Sequence, residues 1–132
     1  MKQENELMTG IESLGFTIIR HVKEAAHFGN IDIVADYQGT RFCFEKDRNM
    51  WECYIIIGLE RIPLVAAISI INEKQFSFEE VSFDTESLML CWIKANINAI
   101  YSIPRKKAFI KREWKRIIKN RRKTFWTGME KH

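Results

Sequence analysis

The hydrophobic positions change period as the chain proceeds. Leu7, Ile11 and Leu14 recur at helical spacing, and Gly15 follows at the place of a C-terminal cap, which predicts a short opening helix. From Phe16 the pattern becomes extended. "FTIIRHV" reads as a strand, and "IDIVADY" alternates Ile31, Ile33, Ala35 and Tyr37 against Asp32 and Asp36, as a half-buried strand does. Gln38-Gly39 is a turn signal, "TRFCFEKD" a further strand, Arg48-Asn49 another turn and "MWECYIII" a further strand, which together predict an antiparallel meander. With the second turn centred on Arg48, Phe42, Phe44, Tyr54 and Ile56 share one face and Cys43, Trp51, Cys53 and Ile55 the other, so both faces of the sheet need cover.

The second half supplies helices for that cover. Pro63 is placed to start a short helix, Phe76, Phe78 and Val81 suggest an extended segment, and Asp84-Thr85 offers an N-cap. From Glu86 to Tyr101 apolar residues fall nearly all round a helix, which predicts that it is largely buried. After Pro104 a last helix runs from about Arg105 to Lys123, with Ile110, Trp114, Ile117, Ile118 and Phe125 on one stripe and basic residues over the remainder. The expected fold is a single α+β domain over residues 1–132: an antiparallel β-meander packed with helices and ending in an amphipathic basic helix.

Charge divides the chain. Residues 103–132 hold 12 Lys/Arg against 2 Asp/Glu, whereas residues 1–102 hold 9 against 15, so an acidic body carries a basic tail. The longest nearly apolar run, Ile62 to Ile71, is interrupted by Pro63 and Ser69 and is far shorter than the roughly 20 residues of a membrane span. No apolar signal region opens the chain, and the expected location is the cytoplasm. Cys43, Cys53 and Cys91 form an odd set without CxxC spacing, and the three histidines show no ligand spacing; neither a disulfide framework nor a metal or other cofactor is expected. With a turn about Arg48, Cys43 and Cys53 would sit opposite each other as small core hydrophobes.

Asp32 on one strand and Glu45-Lys46 on the next partly resemble the metal-binding hairpin of PD-(D/E)xK nucleases, in which the lysine stands two residues beyond the second acid and therefore on its strand face. Here Lys46 directly follows Glu45 and should face the other way, and Asp47 occupies the next position. No Gly-x-Ser-x-Gly, phosphate loop or other catalytic motif stands elsewhere, so no enzyme activity and no catalytic residue is expected, an atypical Mg-dependent nuclease of the PD-(D/E)xK kind standing as a second alternative.

Phe28, Gly29, Asn30, Gly39, Arg41, Asp47, Arg48 and Trp51 form a second pattern: Phe-Gly-Asn, a strand ending in a glycine turn, and a strand closing on Asp-Arg before an aromatic. Over about 30 residues it resembles small bacterial immunity proteins of polymorphic or contact-dependent growth-inhibition toxin systems, with Asn49 standing where the turn usually has Gly. The resemblance implies an inhibitor that binds the C-terminal domain of a cognate toxin. Candidate partner-binding residues are Asp32, Asp36, Asp47, Arg48, Trp51, Glu79, Glu80 and Glu86, whose carboxylates would suit a basic nuclease toxin; for Trp51, a core position is the plainer reading. The basic helix, with Lys111, Arg112, Lys115, Arg116 and Lys119, supports a rival reading as a nucleic-acid-binding module, or a plainer one as the solvated face of a helix docked on an acidic body.

Overall fold

The computed structural model describes residues 2–24, 30–73 and 82–130, the side chains of 2–5, 24 and 122–130 excepted. Helix α1 (Lys2–Ser13) leads into a five-stranded antiparallel sheet of β1 (Thr17–Glu24), β2 (Asn30–Tyr37), β3 (Thr40–Asp47), β4 (Met50–Ile57) and β5 (Glu60–Pro63), whose spatial order is the order in the chain. Helices α2 (Leu64–Ile71), α3 (Glu86–Ala95), α4 (Ile97–Ser102) and α5 (Lys107–Glu130) follow, with a single 3-10 turn at Ile103–Arg105 ahead of α5. The fold is α+β.

The opening helix ends as its sequence dictates. Gly15 takes φ +96°, its N–H donates to the Glu12 carbonyl and the Phe16 N–H donates to that of Ile11, while Phe16 and Ile11 are both buried. This is a Schellman closure with its hydrophobic contact, and it turns the chain directly into β1.

Three two-residue turns then set the sheet. Gln38-Gly39 and Arg48-Asn49 both hold two left-handed residues, as type I′ hairpins require, and Gly58 supplies the positive φ that opens the Gly58-Leu59 turn. Asn49 at φ 68° accepts the left-handed backbone more readily than most non-glycine residues.

The Arg48-Asn49 turn corrects the face assignment made from the sequence. Its centre lies between the two residues, not on Arg48, so Phe44 pairs with Cys53 and Cys43 with Tyr54. A one-residue shift moves a whole strand to the other face. Phe42, Phe44, Trp51, Cys53 and Ile55 therefore share the inner face with Ile31, Ile33, Ala35 and Ile62, and most of these are wholly excluded from solvent. At about 1.5–3 kcal/mol for each large side chain buried, this face is the main source of stability. Cys43 and Cys53 do not oppose each other; they are free thiols on opposite faces.

All five helices contribute to the single core on that inner face: Leu7 and Ile11 from α1, Leu64 and Ala67 from α2, Met89 and Ile93 from α3, Ile100 from α4, Ile110 and Trp114 from α5. Two expectations need correction, on the run from Glu86 to Tyr101 and on the bounds of the last helix. The run from Glu86 to Tyr101 is not one buried helix: Asn96 interrupts it, its side chain bonding back to the Trp92 carbonyl, and Leu88 and Cys91 are exposed. Pro63 does stand at the start of a short helix, α2; it also closes β5, which went unforeseen because four residues give too little alternation to read. The last helix begins at Lys107 and extends to Glu130. Phe76, Phe78 and Val81 lie outside the described residues. Beside them, Phe83 exchanges two backbone hydrogen bonds with Trp51 at 2.8 and 2.9 Å and so lengthens the β4 edge.

Candidate functional site

With the helices gathered on one face, the outer face of the sheet keeps most of its side chains in or near solvent, contrary to the expectation that both faces need cover. The register fixes what stands there. One row across the strands reads Val22, Asp32, Glu45, Glu52; the next reads Arg20, Val34, Cys43, Tyr54, Pro63; a third brings Asp36, Arg41, Ile56 and Arg61 together. Carboxylates directly opposite one another repel. Here each acid of the first row has a neutralising or hydrogen-bonding partner from the other rows.

Arg61 from β5 reaches across to Glu45 at 2.5 Å, and its guanidinium lies 4.1 Å from the centre of the Tyr54 ring. Tyr54 donates its hydroxyl hydrogen to Glu52 in a short hydrogen bond. Arg20 approaches Asp32 at 3.9 Å. Burial, together with the Glu52 acceptor and charge, holds the Tyr54 phenol well above its ordinary range. Beneath this cover Cys43 is only 6% exposed, and burial together with the Asp32 and Glu45 charges pushes its thiol up against the opposing effect of Arg61 and Arg41. The result is a pre-ordered surface of arginine, tyrosine and carboxylate around a narrow apolar strip. Arginine and tyrosine are the residue types that most often anchor protein interfaces.

Asp32 and Glu45 are thus cross-strand neighbours on the outer face, while Lys46 pairs with Ile31 and Trp51, which puts its side chain on the inner-face parity at the sheet's end. Among the described residues no three acid, cysteine or histidine side chains gather to hold a metal ion.

The other predicted residues separate into distinct settings. The Asp36 carboxylate accepts the Gly39 N–H at 3.3 Å and braces the β2–β3 turn. Asp47 and Arg48 are exposed at the opposite end of the sheet, where the Arg48 N–H donates to Asn30 Oδ1 at 3.4 Å. That bond joins the Asn of the Phe-Gly-Asn pattern to the Asp-Arg turn. Trp51 is wholly buried and presents nothing to a partner, so the core reading holds for it. Glu86 is 8% exposed in the first turn of α3, directly after the Thr85 cap, where a carboxylate favours the helix dipole; it is a structural acid rather than a surface contact. Glu79 and Glu80 lie outside the described residues.

Helix α5 lies against the other end of the sheet. Ile110 and Trp114 enter the core, the Lys107 ammonium donates to the Gly39 carbonyl at 3.3 Å, and Lys115 pairs with Glu60 at 3.8 Å. Lys111 rests beside Gly58, where an added Cβ would come within 2.9 Å of its Nζ. Arg112 and Lys119 point outward, and exposed Arg116 pairs with Glu113 of its own helix at 2.7 Å.

Sequence reasoning missed Arg20, Glu52, Tyr54 and Arg61. Glu52 and Tyr54 were visible as polar groups two apart in an apolar strand, sharing one face. Arg61 was hidden with β5. Among the described residues no helix is long and apolar enough to cross a membrane. No protein-family model, curated protein or solved structure matches this chain.

Proposed function

We propose that the protein is a toxin-neutralising immunity protein that binds a toxin domain on the open face of its β-sheet. The observation that carries this reading is the pre-ordered Arg61–Tyr54–Glu52 and Arg61–Glu45 arrangement on a face the helices leave open. A surface whose side chains are already fixed by one another gives up little rotamer freedom when a partner docks, and that favours tight association without any chemistry. The resemblance supports the same reading, since the Asn30–Arg48 bond and the left-handed Arg48-Asn49 turn give two of its landmark residues, Asn30 and Arg48, a common task in holding the hairpins in register; Phe28 and Gly29 lie outside the described residues.

The nuclease alternative fares worse on geometry. A catalytic lysine has to stand beside the metal-bound water, yet Lys46 lies across the sheet from Asp32 and Glu45, and both acids face arginines.

Co-expression tests the proposal. A toxin C-terminal domain encoded immediately beside this reading frame should be lethal alone and harmless when this protein is made at equal level, and the two should co-purify one to one. Continued killing at equal or greater level of this protein would defeat the reading.

A further inference from the structure

Helix α5 carries more positive charge than its docking uses. Lys107, Lys111 and Lys115 reach the sheet end and its turns, while Ile110 and Trp114 enter the core. At about 100° per residue, Arg112, Arg116 and Lys119 fall within an arc of roughly 60° that faces away from the buried Ile110 and Trp114, all three exposed, and Arg105 lies exposed just ahead of the helix. Among the described residues the one carboxylate paired with this arc is Glu113 on Arg116. From Arg112 to Lys119 the row extends about 10 Å at 1.5 Å per residue, and Arg105 adds a further cation ahead of the helix.

We propose that this outward arc of α5 is a docking surface for a nucleic-acid backbone. The ligand has to be a long anion, because the cations are spread along a line and do not converge on a pocket. Three of the four are arginines, whose planar guanidinium forks fit phosphate oxygens two at a time. Lipid fits less well. An amphipathic helix binds a bilayer by inserting its apolar stripe, and here that stripe is committed to the core through Ile110 and Trp114. Among the described side chains of the helix, Phe109 beside the arc is the large apolar group exposed there, and Leu59 is exposed at the neighbouring turn. Phe109, with the Arg112 guanidinium 5.7 Å from its ring centre, is also placed to stack on a base if the strand is single. The inference is independent of the toxin-inhibitor reading, which concerns a different surface.

Fluorescence anisotropy with a labelled 20-nucleotide duplex and the corresponding single strand tests it on the full chain. With three to four phosphates contacted, affinity for the duplex should fall about 40- to 150-fold between about 50 and 200 mM salt. The double variant R112E/K119E, or R105E/R116E should the first fail to melt cooperatively by circular dichroism, should bind at least about tenfold more weakly and lower the salt slope by about 2. Loss of about tenfold with F109A on the single strand alone would assign the backbone to single-stranded nucleic acid; an unchanged F109A would assign it to duplex. Absence of salt-sensitive binding at about 50 mM, charge-reversed variants that bind like the parent, or uptake by phosphatidylserine vesicles without oligonucleotide binding would each overturn the proposal.

Discussion

The outer face of the sheet and the outer arc of α5 are both charged and both exposed, yet they handle charge in opposite ways. On the sheet, Arg61 answers Glu45 and Tyr54 answers Glu52 in close contacts, and Arg20 stands 3.9 Å from Asp32, so each acid of a repelling row has a partner. On α5, Arg112 and Lys119 face water with no described carboxylate paired to them, Arg112 lying near the Phe109 ring, while Arg116 pairs with Glu113 of the same helix. A paired surface has little field at a distance but a defined shape, which suits recognition of one protein. An unpaired row projects its field outward, screened over about 8–10 Å at ordinary salt, and suits any extended anion.

The contrast can be broken most forcefully at its foundation, the docking of α5. Trp114 is 6% exposed in the core, so Trp114→Ala should cost about 3–5 kcal/mol in urea denaturation. A loss below about 1 kcal/mol would mean that the helix is not anchored and that its outward arc is not defined.

The next effect concerns pH. Burial, with a smaller contribution from Glu52, raises the Cys53 thiol far above its ordinary range. The unfolded thiol titrates near about 8.5, so above that pH the unfolded chain binds fewer protons than the folded one. The stability due to this group is therefore complete below about pH 8.5 and declines as pH rises, by up to about 1.4 kcal/mol per pH unit, or about 2 kcal/mol between pH 9 and 10.5. Cys53→Ala should reduce that decline, the remainder coming from the raised Cys43 thiol and Tyr54 phenol, and an equal slope in the variant would remove Cys53 as a source. Mild oxidation followed by peptide mapping should show no Cys43–Cys53 disulfide, since the two lie on opposite faces; finding one in the folded protein would mean the register is wrong.

A direct comparison of two arginines sharpens the difference further. Arg61→Ala removes an ion pair and the cover of Tyr54, and should cost about 1 kcal/mol, a modest figure because both partners are partly exposed. Arg112→Ala should stay within about 0.5 kcal/mol. Equal losses at the two sites would mean that the α5 cations are structural after all. The smallest effect belongs to Lys115→Ala, at about 0.5 kcal/mol or less, because its contact with Glu60 is long and solvated.

Alternation of side chains made the sheet readable, and β3 and β4 run over the residues the pattern predicts, Thr40–Asp47 and Met50–Ile57. What the pattern could not supply was the phase of one strand against the next. Both faces of β3 and β4 hold apolar residues, so nothing in composition distinguishes a turn centred on Arg48 from one centred between Arg48 and Asn49, and that half-residue decides whether Phe42 and Phe44 meet Trp51 or Tyr54. The candidate site suffered from the same gap. Asp32 was legible as a polar position on an amphipathic strand, whereas Arg61 and Tyr54 become neighbours only through the register of β4 and β5. Glu86 and Trp51 were chosen by residue type, and burial, which type alone does not report, removed both from the surface.

The most direct test of the account is calorimetric titration of a toxin domain encoded beside this reading frame, as the proposal expects, against three proteins: the parent, the open-face variant Y54A/R61A, and the helix variant R112E/K119E. The expected result is one-to-one binding by the parent, at least a 100-fold weaker affinity for the open-face variant with its fold intact, and near-parental affinity for the helix variant. Parental affinity in the open-face variant, with binding lost in the helix variant, would contradict it.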